Sequence, residues 1–245
     1  MTDVAQVASE VGAGHEPRTG KEPRATETNR ERVSRRQVDK FAERRAQLAD
    51  AALQTLAELG YARTSLREIA QNSRFSHGVL HYYFSDKQDL ITHCVRQYEA
   101  ACVTRYDEIV AAASSAEELK REFSTAMTQT LRTDAPMHRL WYDLRNQSLF
   151  EESFRADVLE IDQRREEMIW RVVSRYASLA GIAVALPPAA AYGILDGLFQ
   201  QCLLKHLSGD KRAVATMQSH VRLVVSQLVG TPAQSKRRRP VGVIG

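Results

Sequence analysis

The chain has 245 residues, of which 43% are hydrophobic and 26% charged, enough for one large domain or two modest ones around a sizeable core. Its net charge of +4 is too mild to argue for nucleic-acid binding by itself, so the placement of charge has to decide. Three separated cysteines, Cys94, Cys102 and Cys202, form no CxxC pair, so neither a disulfide framework nor a zinc site is suggested. The absence of a signal-type apolar stretch and of any run long enough to span a bilayer predicts a cytoplasmic protein without a membrane partner.

Residues 1–35 are polar, with Gly12, Gly14, Pro17, Gly20 and Pro23 among the charges. Such a segment buries too little apolar area to offset its ordering entropy, so it is expected to be a disordered arm. The arm ends in a basic run, with Arg30, Arg32, Arg35 and Arg36 against Glu31.

Beyond it the pattern is helical throughout, and no stretch alternates with period two. Leu48, Ala52, Leu56 and Leu59 recur at helical spacing, and Gly60 supplies a left-handed stop. Ser65 with Glu68 reads as a capping box for a short second helix reaching about Asn72. Ser76 caps a third helix over His77–Phe84, and Ser85 with Gln88 starts a long fourth helix to about Ala113. Five more helices follow at about 115–132, 136–148, 153–180, 187–207 and 210–229. Their limits are marked by Ser115 with Glu118, Pro136, Gly181, Pro187–Pro188 and Gly209–Asp210. The last residues, 231–245, again look disordered and basic, with Lys236 to Arg239.

The expected fold is therefore all-α with about nine helices. A three-helix head at 36–90 joins a larger helical body at 91–230 through the fourth helix. The second and third helices flank a tight turn around Asn72–Phe75. This is the helix-turn-helix arrangement, whose second helix enters the major groove of DNA. Gly78, early in that helix, fits a close backbone approach to DNA, with plain flexibility as the bland alternative.

The run Thr64-Ser-Leu-Arg-Glu-Ile-Ala70, the run Phe75-Ser-His-Gly-Val-Leu-His-Tyr-Tyr-Phe84 and Ser85-Asp-Lys-Gln-Asp-Leu90 resemble the signature of the TetR family of transcriptional regulators. The helix before them, with Arg44, Arg45, Ala51, Ala52, Leu56 and Gly60-Tyr61, also fits. The resemblance implies a homodimer whose two heads read half-sites of a partly palindromic DNA operator. By position it places Ser76, His77, Gly78 and Val79 at the groove, with His77 and Val79 nearest the bases. It sets His81, Tyr82 and Tyr83 beside them, mainly on phosphates, and makes Thr64, Ser65, Arg67 and Lys87 holders of the DNA backbone. The commoner residues of the family are Lys at 77, a polar residue at 79 and an aromatic at 81, so the operator sequence is open. His77 and His81, four apart, also have the spacing of two metal ligands, but no third ligand is assignable and the DNA-facing reading is stronger. Arg44 and Arg45 close a basic flank that begins at Arg30, which reads either as a solvated charged segment, the usual explanation for such a run, or as an arm reaching DNA.

The resemblance also implies a body that encloses an unknown small-molecule effector. Tyr98, Cys102 and Tyr106 repeat at i, i+4, i+8 on the fourth helix and would point inward together. Trp141, Tyr142, Arg145, Asn146 and Phe150, with Met168 and Arg171, mix aromatic and polar groups as pocket walls do, although such stripes are more often plain core. Arg145 among aromatics needs an anion: a ligand carboxylate, or a neighbour such as Asp143 or Glu166. The eighth helix is apolar round most of its circumference, which implies burial on more than one side. By resemblance it pairs with the ninth in the dimer contact, through Tyr192, Leu195, Phe199, Cys202, Leu203, Val221 and Val225.

The functional expectation is a ligand-responsive regulator acting at the nucleoid, most simply a repressor that an effector releases from DNA. The unbroken fourth helix would be the lever. No cofactor and no catalytic set is nominated: P-loop, dinucleotide fingerprint, nucleophile elbow and metal cluster are all absent. The alternatives are a nonspecific architectural DNA binder using its basic ends, and an enzyme carrying an accessory DNA-binding head.

Overall fold

The computed structural model describes residues 29–230; the expected basic tail and the first 28 residues of the expected arm lie outside the described residues. The described residues fall into two compact units, the first ending at Lys40 and the second beginning at Phe41. Helix α1 runs from Asn29 to Leu59, so residues 29–35, expected as part of a disordered arm, are helical. Residues 29–35 hold no glycine or proline, and Arg30, Glu31, Arg32 and Arg35 are good helix formers.

In the second unit, Gly60 ends α1 in the left-handed region, with φ 77°. Helix α2 (Leu66–Gln71) is capped by Ser65, whose Oγ accepts from the Glu68 N–H at 3.2 Å. Helix α3 (His77–Tyr83) is capped by Ser76, which accepts from the Val79 N–H at 3.3 Å. Leu48, Ala52, Leu56, Leu66, Ile69, Phe75, Leu80, Phe84 and Leu90 are buried and form the interior of the head.

Helix α4 (Lys87–Cys102) departs from expectation at both ends. Its cap is Asp86, one residue after Ser85: Asp86 accepts from the Asp89 N–H at 2.8 Å, and the Asp89 carboxylate takes the Ser85 N–H at 3.1 Å. A carboxylate suits the positive end of a helix better than a hydroxyl, so Asp86 takes the position. At the other end α4 stops at Cys102 and the chain turns before α5 (Asp107–Ala112). Adjacent β-branched Val103 and Thr104 weaken the helix there. The Thr104 hydroxyl donates back to Ala101 O, and Arg105 reaches Thr130 at 2.7 Å and Asp134 at 2.8 Å. The expected unbroken lever does not exist.

The body continues with α6 (Ala116–Thr133), α7 (Ala135–Gln147), a 3₁₀ turn at Glu152–Phe154, α8 (Arg155–Ala180), α9 (Pro188–Leu207) and α10 (Ala213–Gln227). The ten α-helices among the described residues are thus the nine expected, with the fourth divided. Ser115 caps α6 and Gly181, at φ 65°, ends α8, both as expected. Helix α10 packs on α6 and α9, and α8 on α9 and α6, around Leu119, Phe123, Leu131, Val173, Leu195 and Met217. An isolated bridge between Val184 and Val229 closes the α8–α9 connection against the chain end of α10.

The residues expected at a dimer contact sit elsewhere. Tyr192, Leu195, Phe199, Cys202, Leu203, Val221 and Val225 are all buried in the chain's own core. A helix apolar on all sides does not announce which side its own fold will claim. The outward apolar residues of α9 and α10 are Ile194, Leu204, Leu207 and Leu223.

Candidate functional site

Two regions have the chemistry of a site, one on the head and one inside the body. On the head, Ser65, Arg67, Ser76, His77, Gly78, His81 and Tyr82 are exposed, and Tyr82 keeps 73% of its surface. The His77 and His81 rings lie edge to face with centroids 4.4 Å apart, one turn apart on α3. A Cβ built on Gly78 would meet no protein atom within 4 Å, so packing within the chain does not require glycine there. The surface therefore presents hydroxyls, imidazoles and bare backbone, groups suited to phosphate oxygens and base edges.

Other expected DNA contacts are occupied within the protein. Thr64 is buried and its hydroxyl donates to Gly60 O at 2.6 Å. Lys87 donates to Tyr61 O at 2.8 Å and sits 4.1 Å over the Tyr61 ring. Arg45 stacks 4.9 Å over Phe84 and pairs with Asp89, tying α1 to α4. Arg44 lies 5.0 Å over Phe75 and reaches Gln47, while Val79 and Tyr83 are half-buried, Tyr83 against Phe41. Positional likeness locates a residue on an element; it does not say that a free cation will stay free when an aromatic ring or carboxylate lies within reach. Arg74, in the turn, is exposed and had no signal beyond its charge.

The body holds a small internal cavity of about 40 Å³ between α6, α7, α8 and α9. Of the residues expected there, Tyr106, Tyr142 and Met168 line it. Tyr192, Leu195 and Phe199, expected at a dimer contact, line it too, as do Met127, His138, Arg165, Ile169 and Asp196. The remaining expectations fall outside the wall. Trp141 is buried beneath the Arg165 guanidinium at 4.7 Å, and Tyr98 donates to Asp134 at 3.1 Å. Cys102 accepts from Arg105 at 3.1 Å. Asn146 lies on an open groove between α7 and α9, and Phe150 is 85% exposed. Arg171 is at the surface, paired with Asp107 at 2.9 Å. Of these only Phe150 lies past a helix end, beyond Gln147; the others stand on α4, α7 and α8 and face neighbours other than the cavity.

The polar groups of the wall form closed pairs. Arg165 gives Nε and Nη2 to the two oxygens of Glu99, at 2.8 and 2.6 Å, with both side chains buried. Arg145 pairs with Asp196 at 2.5 Å and Asp162 at 3.4 Å, not with Asp143 or Glu166. Tyr142 donates to Asp196 at 2.8 Å and Tyr192 to Asp162 at 2.7 Å. Burial, then the neighbouring Asp196, pushes both phenols up in pKa. Inside this wall His138 is orphaned: among the described residues neither ring nitrogen has a hydrogen-bond partner. Burial first, then the charges of Arg165 and Arg105, hold it neutral, well below the usual 6.5.

Arg165 and His138 were missed from sequence, although one signal was there. Arg165 interrupts an apolar stripe formed by Ile161, Ile169, Val172 and Tyr176, the pattern that singled out Arg145. His138 stands one turn before Trp141 and Tyr142 and reads as an ordinary core histidine.

Helix α7 joins the two regions. His138 and Tyr142 face the cavity, while Arg139 and Asp143, one residue along from each, hold the head. Arg139 donates to Ala57 O and, at 2.9 Å, to Glu58 O at the end of α1. Asp143 accepts the Tyr61 N–H at 2.6 Å, and a Cβ on Gly60 would meet that carboxylate at 3.0 Å. Beside them the Tyr61 hydroxyl donates to Glu151 at 2.9 Å, and burial followed by Glu151 raises its pKa to about 12. No group of three or more side chains able to hold a metal ion occurs among the described residues, and no described helix is long and apolar enough to cross a membrane.

Comparison with known proteins agrees with this architecture. A family model described as bacterial regulatory proteins of the tetR family matches residues 48–94. The HTH-type transcriptional regulator BetI of Burkholderia thailandensis is 33% identical over 161 residues, which cover 63% of this chain and 75% of that protein. The BetI of Paraburkholderia phymatum is 30% identical over 200 residues, covering 75% and 94%. Among solved structures, the regulator FadR from Bacillus subtilis in complex with stearoyl-CoA aligns with a TM-score of 0.60 at 21% identity, over 74% of this chain and 97% of that one. A transcriptional regulator from Saccharomonospora viridis in complex with choline aligns at 0.62 and 18%, over 77% and 98%. At these identities the two structures share the fold alone.

Proposed function

Because the chain belongs to the TetR family of bacterial transcriptional regulators, we propose that it is a ligand-responsive repressor, which binds a partly palindromic operator as a homodimer and leaves it when a small molecule fills the body cavity. The observation that carries this reading is the double engagement of α7. One side of that helix, His138 and Tyr142, forms cavity wall, and the other, Arg139 and Asp143, grips the end of α1 and Tyr61. A molecule that displaces the cavity side shifts the anchor of the head. Such a shift favours one head position over another in proportion to the difference in affinity between the two. The transmitting element is thus α7 rather than α4.

In the proposed dimer two copies present their heads about 34 Å apart, one DNA turn, so that each α3 enters a successive major groove. Ser76, His77 and Gly78 lie toward the bases, and Ser65, Arg67, His81 and Tyr82 toward phosphates. The contact between copies uses the outward faces of α9 and α10, where Ile194, Leu204, Leu207 and Leu223 are exposed. Gly193 and Gly197 lie on α9 with open space around them, which allows close helix approach. The neighbouring proteins that hold choline and stearoyl-CoA support an effector in the body. The reading places the protein in the cytoplasm, at the nucleoid.

The test is selection of genomic fragments by the purified full-length protein, followed by anisotropy titration of the enriched sequence and of random DNA. A paired half-site bound by two chains, with at least a thousandfold preference over random DNA, is expected. Equal affinity for both sequences would leave only a nonspecific DNA binder.

A further inference from the structure

The hydrogen-bond balance of the cavity wall bears on the chemistry of the effector. Every carboxylate oxygen at or beside the wall is taken: Glu99 by Arg165, Asp196 by Arg145 and Tyr142, Asp162 by Arg145 and Tyr192. Donors are in surplus. His138 has no partner on either nitrogen, and Arg165 makes no hydrogen bond from Nη1 among the described residues. Building on the effector reading above, we propose that the cavity receives an uncharged, mainly apolar molecule whose carbonyl or hydroxyl oxygen is held by His138 and by Nη1 of Arg165.

Charge disfavours the other classes. Arg145 and Arg165 are each already matched by a carboxylate, so an anion would find no unpaired cation to offset its own desolvation in a buried site. A cation needs a carboxylate, and each one here is already paired. Taking it would strand a guanidinium away from water. A neutral oxygen breaks no pair. It also relieves the unpaired imidazole, a group whose desolvation is otherwise uncompensated. The neutral ring offers one N–H and one lone pair, which fits a hydroxyl on both counts and a carbonyl on the first.

The apolar part of the ligand would lie against Met127, Met168, Ile169, Leu195 and Phe199. At about 40 Å³ the cavity is far below the several hundred Å³ of ordinary ligand sites, so binding has to open it. Unbranched Met127 and Met168 are the side chains able to yield with little cost. This opening, against the cavity side of α7, is the displacement that the proposed release from DNA requires.

The experiment uses the full-length protein and four one-ring probes of similar size: acetophenone, 1-phenylethanol, benzoate and benzylammonium. Binding is read by calorimetry near neutral pH, with anisotropy on the selected DNA in parallel. Acetophenone or 1-phenylethanol should bind at least about tenfold tighter than either charged probe. His138→Leu should lose about tenfold of that affinity while raising Tm, because it replaces an orphaned polar group with an apolar one; His138→Gln should retain binding. A merely structural His138 would lower Tm on replacement and leave the order of probes unchanged. Equal or tighter binding of a charged probe, no saturable binding of any probe, or unchanged affinity in His138→Leu overturns the proposal. If probes fail while sequence-selective DNA binding persists, the ligand class falls and the regulator stands. Loss of selective DNA binding in the folded wild type would sink the regulator itself.

Discussion

The head and the body treat their polar side chains in opposite ways. On α2 and α3, Arg67, His77, His81 and Tyr82 face solvent, so these side chains keep their hydrogen-bonding capacity for a partner. In the body, Arg165, Glu99, Arg145, Asp162, Asp196, Tyr142 and Tyr192 spend theirs on one another, while on the cavity wall His138 has no hydrogen-bond partner among the described residues. A surface that reads a charged polymer needs free donors at no desolvation cost. An interior that must fold without its ligand needs almost every polar group paired. The same residue types therefore carry opposite meanings in the two regions, and the exception inside becomes the informative one.

The largest expected effect comes from opening a closed pair. Glu99→Gln leaves the buried Arg165 charge without its counter-ion and should cost about 3–5 kcal/mol, read by urea unfolding. The double change Glu99→Leu with Arg165→Met should recover most of that loss. A single variant as stable as the wild type would mean that water reaches the pair.

The junction between the regions comes next. Asp143→Ala removes the acceptor of the Tyr61 N–H and should cost about 1–3 kcal/mol. In the folded variant any ligand that weakens DNA binding of the wild type should do so less, because α7 has lost half its grip on the head. Undiminished coupling, measured as the ratio of DNA affinities with and without ligand, would return the transmitting role to another helix.

On the head the expectation reverses, with little change in stability and much in affinity. Tyr82→Ala removes a side chain 73% exposed, so Tm should barely move. DNA affinity should fall by about tenfold, as the loss of a hydrogen bond to a charged phosphate predicts. Lys87→Ala should do the opposite, loosening Tyr61 and affecting DNA only through the fold. Anisotropy alongside thermal unfolding separates the two outcomes.

The smallest effect is a pH slope. The folded state holds His138 below the ordinary 6.5, so the unfolded chain takes up its proton first as pH falls. The wild type thus loses stability below about pH 6.5 through this group. His93, also lowered by burial and by Arg45, contributes the same sign in both proteins. His138→Leu should therefore show a shallower acid-side fall of Tm than the wild type; identical slopes would mean that the imidazole reaches solvent.

Much of the head was legible because its determinants are local. Ser65, Ser76 and Gly60 act within one helical turn, and the short α2–α3 pair follows from those stops and from the spacing of Leu66, Ile69, Leu80 and Phe84. Even there locality had limits. Arg45 and Lys87 sit where DNA-holding residues are expected, yet bind Asp89 and Tyr61 across the head. In the body the error was one of direction. Helix positions were right within a few residues, but whether Phe150, Arg171 or Tyr192 points into a cavity depends on where α7 ends and on which sides of α8 and α9 the fold buries.

By itself the sequence determined an all-α chain, the stops and caps of its helices, and the short pair that carries the DNA-reading surface. These are set by interactions among residues three or four apart, which the chain order states directly. Only the tertiary structure decided that Arg165 meets Glu99, that Arg145 meets Asp162 and Asp196, that α7 faces both the cavity and the head, and that His138 is left over. Those outcomes depend on which helix faces are brought together across dozens of residues, and an amphipathic pattern names a buried face without naming its neighbour.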